Sequence, residues 1–66
     1  MTYKELITNP KYRYHHTASR RGYTSRKAPP KIEEYNGRFG TGYIAICPRW
    51  DSSYYVYVEY YIQIKD

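Results

Sequence analysis

Lysine, arginine and tyrosine interleave through the first half of this chain, and together they make a surface suited to anions. Between Lys11 and Lys31 stand Lys11, Arg13, Arg20, Arg21, Arg26, Lys27 and Lys31 with no Asp or Glu among them, and Tyr12, Tyr14 and Tyr23 lie between them. Cations neutralise phosphates with release of counterions, while aromatic rings stack on unpaired bases, so this composition suits nucleic acid. The expected contacts are Arg13, Arg20, Arg21, Arg26, Lys27 and Lys31 on phosphate, with Tyr14 and Tyr23 stacking on bases. The same residues would also serve an acidic protein surface, or simply keep a charged segment in water and guard a sheet edge. The charge is unevenly spread. Up to Lys31 there are eight Lys or Arg against Glu5 alone, and after it three against five acids, for a net +5 at pH 7.

A second chemical feature is tyrosine itself, which occurs eleven times. Along Tyr54 to Ile64 the even positions are Tyr54, Val56, Val58, Tyr60, Ile62 and Ile64, and the odd ones Tyr55, Tyr57, Glu59, Tyr61 and Gln63. Strand side chains alternate between faces, so the even face suits a core and the odd face suits water or a partner. Tyr55, Tyr57 and Tyr61, with Trp50, are therefore the anchors of an alternative reading, a protein-binding inhibitor or adaptor directed at an acidic partner such as a nuclease. Aromatic side chains are common at the energetic centres of interfaces. A long last strand also offers an edge for a homodimer.

Other constellations point away from catalysis and metals. His15 and His16 are adjacent, so on a regular strand they face opposite ways and do not share a metal; no spaced His or Cys pair suggests zinc. Cys47 sits in an apolar run before Pro48, the setting of an inert thiol rather than a nucleophile. Glu33 and Glu34 are consecutive rather than facing, and no Ser, His and Asp arrangement follows from spacing. Gly37, Gly40 and Gly42 do not form a phosphate loop, because such loops lead into a helix and here a strand-like run follows. Arg21-Gly22-Tyr23 and Arg38-Phe39-Gly40 touch the basic, glycine and aromatic signature of RNA-binding strands, but both are broken. The expectation is a protein without enzymatic activity, cofactor or metal.

The elements that must position these residues are short. Sixty-six residues make one domain, 1–66, with a small aliphatic supply, so some tyrosines must belong to the core. Thr2 and Glu5 form a capping box ahead of Leu6 and Ile7, which predicts a helical turn over about Tyr3 to Thr8, ended by Asn9 and Pro10. From Lys11 to His16 the pattern alternates, with Tyr12, Tyr14 and His16 on one face. Ser19 to Gly22 reads as a turn and Tyr23 to Lys27 as a returning strand, making 11–31 a basic hairpin or a flexible arm. Ile32 to Tyr35 leads into Asn36-Gly37, a favoured hairpin turn. Tyr43 to Cys47 is an apolar strand stopped by Pro48, and Pro48 to Ser53 is a polar loop. The fold class is mainly β: a small antiparallel sheet or curled barrel of OB or SH3 size, with four to five strands and a short N-terminal helical turn. A single cysteine, no apolar signal-like start and no long apolar run lead to the expectation of a cytoplasmic protein with no membrane span.

Tyr3-Lys-Glu-Leu-Ile, Tyr14-His-His-Thr-Ala, Arg21-Gly-Tyr, Gly37-Arg-Phe-Gly and Val58-Glu-Tyr-Tyr-Ile are together similar to segments of small uncharacterised accessory proteins carried by conjugative elements and phages of Gram-positive bacteria. The resemblance implies a mobile-element role, either handling DNA or blocking a host defence system. It assigns no functional residue.

Overall fold

The helix forms first in the chain and for local reasons. In the computed structural model, which describes residues 1–22, 27–49 and 51–64, helix α1 spans Tyr3–Thr8. Thr2 caps it: its hydroxyl accepts from the Glu5 amide, and the Glu5 carboxylate accepts from the Thr2 amide, both at 3.2 Å. These two bonds satisfy donors that a helix start leaves open, and they hold the Glu5 carboxyl below its ordinary range. At the other end the Asn9 amide closes on the Leu6 carbonyl, and Asn9 Oδ1 accepts from the Lys11 amide. The chain is thereby turned into the first strand.

Four strands follow: β1 Tyr12–Arg21, β2 Lys31–Gly37, β3 Gly40–Arg49 and β4 Ser52–Gln63. They form one antiparallel sheet in the order β1-β4-β3-β2. The mainly β class with a short N-terminal helix is therefore as expected, in the form of an open sheet whose edges are β1 and β2. Several boundaries differ from expectation. The turn placed at Ser19 to Gly22 is absent, because β1 pairs continuously with β4 from Ser19↔Tyr57 to Arg21↔Tyr55, and the Gly22 amide extends the ladder to the Tyr54 carbonyl. Within the described residues β1 finds its partner at the far end of the chain, in β4. Of the expected returning strand, Tyr23 to Arg26 lie outside the described residues and Lys27 is in a turn.

The β2–β3 turn falls on Arg38 and Phe39, two residues beyond the expected Asn36-Gly37 pair, with Gly37 opposite Gly40. Only Gly40 among the described residues has positive φ, +125°, a conformation that L side chains rarely adopt. Asn36 serves the hairpin differently, accepting from the Thr41 hydroxyl across the strands at 3.2 Å. Strand β3 continues through Pro48 to Arg49, where a bulge occurs. Pro48 is tolerated because β2 ends at Lys31 opposite Ile46, so this stretch of β3 lies beyond its neighbour on that side.

The period-two pattern of β4 is observed, but both of its faces are used. On one face Val56, Val58 and Ile44 are buried, with Ile46, Tyr35 and Tyr60 packed around them. On the other, α1 lies across the sheet and Leu6, fully buried, rests on Ala45 and Tyr61. Tyr3, Tyr12, Ile32, Tyr43 and Cys47 surround that contact. The expected solvent-facing row is therefore divided: Tyr61 is a core residue, Tyr57 is half-buried and Tyr55 is exposed. Tyr54, expected on the core face, is 70% exposed because it lies past the last core valine. β4 is also interior to the sheet, hydrogen-bonded to β1 on one side and β3 on the other, so it has no free edge for the homodimer expected through the last strand. Among the described residues no helix is long and apolar enough to cross a membrane.

Candidate functional site

Antiparallel pairing brings the end of β1, the start of β2, the end of β3 and the start of β4 to one end of the sheet. Arg20, Arg21, Lys31, Arg49, Tyr54 and Tyr55 lie at that end, distributed over both faces of the sheet. Arg20 pairs with Val56 and so shares the face of Lys31. Both line a cleft of about 310 Å³ with Gly22, Pro29, Val56 and the single carboxylate Glu33. Arg21 lies opposite Tyr55 on the other face, where the ring is 44% exposed. Arg20, Arg21 and Lys31 are exposed and make no ion pair with any described carboxylate. Their charge is therefore available to an incoming anion.

Arg49 differs from these three. Its guanidinium donates to both oxygens of Asp51, at 2.9 and 2.7 Å, and to Ser19 Oγ at 3.3 Å, while lying 4.8 Å over the Tyr57 ring. The bond to Asp51 raises its pKa further. A planar fork held by a carboxylate and capped on an aromatic face is a positioning group; it fixes Tyr57 and the β3–β4 turn beside Tyr55.

The remaining expected residues are placed elsewhere or lie outside the described part. Arg13 is exposed on β1 seven residues before Arg20, about 23 Å away along an extended strand. Tyr14 is on the opposite face from Arg13, its ring edge-on to Tyr61 at 5.7 Å and its hydroxyl 2.5 Å from Thr17 Oγ1. Lys27 is exposed and has a partner of its own. Tyr23, Arg26 and Trp50 are outside the described residues. The cations thus divide between the Arg20 and Arg13 ends of β1, with Lys31 on the opposite edge strand, β2.

At the Arg13 end the structure departs from the regular alternation. The register of β1 shifts between Tyr14 and His16, so His15 is an extra, bulged residue. As a result His15 and His16 do not face apart. Their Nδ1 atoms are 2.6 Å from each other, so one ring must carry the Nδ1 proton and the other accept it. His16 stacks on Tyr60 at 4.3 Å, and Phe39 packs against both imidazoles at 5.0 and 4.6 Å. A bulge also moves His16 off the face of Tyr12 and Tyr14. No group of three or more His, Cys, Asp or Glu side chains able to hold a metal occurs among the described residues.

Beneath α1, Glu59 Oε1 accepts from the Tyr3 hydroxyl at 2.7 Å and the Tyr61 hydroxyl at 2.8 Å. The bond to Glu59 raises the Tyr3 pKa, and burial raises that of Tyr61 further than the same carboxylate does. Burial also pushes the Cys47 thiol up to about 11, with help from the Glu59 charge. A thiol in that state is a poor nucleophile at neutral pH.

Sequence reasoning missed Arg49, because its contacts cross a turn and its role depends on Asp51 and Tyr57. It also missed the gathering of His15, His16 and Phe39, for which the only signal was the uninterrupted run of polar and aromatic residues in β1. No family model matches this chain, and neither a curated protein nor a solved structure does.

Proposed function

We propose that the protein is a non-catalytic nucleic-acid-binding module, and that Arg20, Arg21 and Lys31 hold phosphates while Tyr55 stacks on a base. The observation that carries this reading is that Arg20 and Lys31 line one cleft at this end of the sheet while Arg21 lies beside the exposed Tyr55 on the reverse face, and that none of the three pairs with a described carboxylate. Exposed rings reach only unpaired bases, so a single strand is the better ligand. Its backbone would track the β1 edge from Arg21 toward Arg13. If the chain is a mobile-element accessory, such binding would act on the element's nucleic acid in the cytoplasm. The protein-partner alternative keeps Tyr55 and Tyr57 as candidate anchors and loses Tyr61, which is in the core.

Fluorescence anisotropy with single-stranded and duplex oligonucleotides at several salt concentrations tests this. Three phosphate contacts give a slope of log K on log salt of about −2 for a single strand, and R20A/R21A should reduce it to about −0.7. Tighter duplex binding, no binding at low salt, or an unchanged slope in the double variant would overturn the assignment.

A further inference from the structure

The opposite end of the helix-covered face carries a different kind of site. An open cleft of about 480 Å³ lies where the Tyr12 ring, at the start of β1, reaches across β4 toward the β2–β3 hairpin. Two of its walls are the rings of Tyr12 and Tyr43, half-buried, with centroids 5.2 Å apart and planes at 83°, so that they form a corner. Glu34 stands directly across from Tyr43 in the β2–β3 register and therefore on the same face. It is exposed and makes no ion pair with a described cation. Asn36 and Thr41 complete the rim, already joined through the Thr41 hydroxyl and Asn36 Oδ1. Gly42 forms part of the floor, where its lack of a side chain lets β3 approach the Tyr61 carbonyl.

A ring face is electron-rich, and a face left open in such an edge-to-face pair, with a carboxylate beside it, presents negative potential together with apolar surface. This arrangement selects for charge and for apolar volume together. It does not suit an anion, which Glu34 would repel, and it lacks the enclosed apolar walls that a neutral hydrocarbon needs. We propose that this cleft binds a compact organic cation, an alkylammonium group, with its methyl or methylene groups against Tyr12 and Tyr43 and its charge facing Glu34. The site is separate from the basic end of the sheet and shares no residue with it.

Choline and its neutral isostere, in which a tert-butyl group replaces trimethylammonium, separate charge from shape. In an amide NMR titration of the whole protein, choline should shift the signals of Glu34, Thr41 and Tyr43. The isostere should bind at least about fivefold more weakly, and E34Q should weaken choline by a similar factor, the range of an exposed cation–π and charge contact. Glu34 is exposed, so the E34Q spectrum away from the cleft should match that of the parent. Equal responses to choline and its isostere, choline binding undiminished in E34Q, or shifts centred on Phe39 and the imidazoles instead would each overturn the proposal.

Discussion

Replacing Leu6 by alanine should unfasten the helix from the sheet, whereas the same change at Ile7, its neighbour, should do almost nothing. Leu6 is fully buried on Ala45 and Tyr61, while Ile7 is 47% exposed. A helix of six residues does not persist on its own in water, so its place depends on that contact. Leu-to-Ala changes in cores cost about 2–5 kcal/mol, and the lower half of that range applies here because a short helix can settle into the space. For a domain of this size the whole stability is about 3–10 kcal/mol, so the loss is a large part of it. With about 4–8 °C lost per kcal/mol, L6A should melt roughly 8–28 °C lower. I7A should stay within about 0.5 kcal/mol of the parent, as surface changes do, and alanine is the better helix former. Urea unfolding followed by tyrosine fluorescence and far-UV circular dichroism measures both variants. L6A losing less than about 1 kcal/mol, or the two variants losing equally, would refute the packing of α1 described above.

Two further outcomes follow from the sheet and its buried hydroxyls. A methyl at Gly42 would run into the Tyr61 carbonyl oxygen and the Ile62 Cα, both main-chain atoms, whereas one at Gly37 would meet only the tip of the Tyr35 side chain. G42A should therefore cost about 2–3 kcal/mol or more and G37A much less; equal urea midpoints would show that the β3–β4 approach is not so close. Stability should also fall in alkali. Tyr3, Tyr61 and Cys47 all have pKa values raised by folding, so the folded state favours their protonated forms. That contribution is complete below the ordinary values of 9.0 for the thiol and 10.0 for the phenols, and is lost as pH climbs through about 11 for Cys47 and higher for Tyr61. Urea midpoints at rising pH should hold to about pH 9 and then decline, with a smaller decline in Y61F; a flat profile would contradict the Tyr3–Glu59–Tyr61 arrangement.

How far the molecule was legible in its sequence varies by element, and the pattern has a cause. Helix α1 was readable to its ends because its signals, Thr2, Glu5, Asn9 and Pro10, act within a few residues of one another. The alternation of β4 was readable because side chains on a strand alternate whatever the strand pairs with. The Asn36-Gly37 turn was misplaced because Gly40, rather than Gly37, takes the positive φ, and a hairpin's register is settled jointly by its turn and its cross-strand pairs. That β1 pairs with β4 was not legible, because nothing local to β1 points to a partner at the far end of the chain.

By itself, then, the chain determined the helix, the strand periodicities, the crowding of cations before Lys31 and the need for tyrosine in the core. Tertiary structure alone decided that β4 is central, that Tyr61 is covered by Leu6 while Tyr55 stays in water, that a bulge turns His15 and His16 toward each other, and that the cations separate between Arg13 and Arg20. The physical reason is that periodicity states which side chains share a face, whereas which face is covered and which strands meet depends on competition among all the strands for partners.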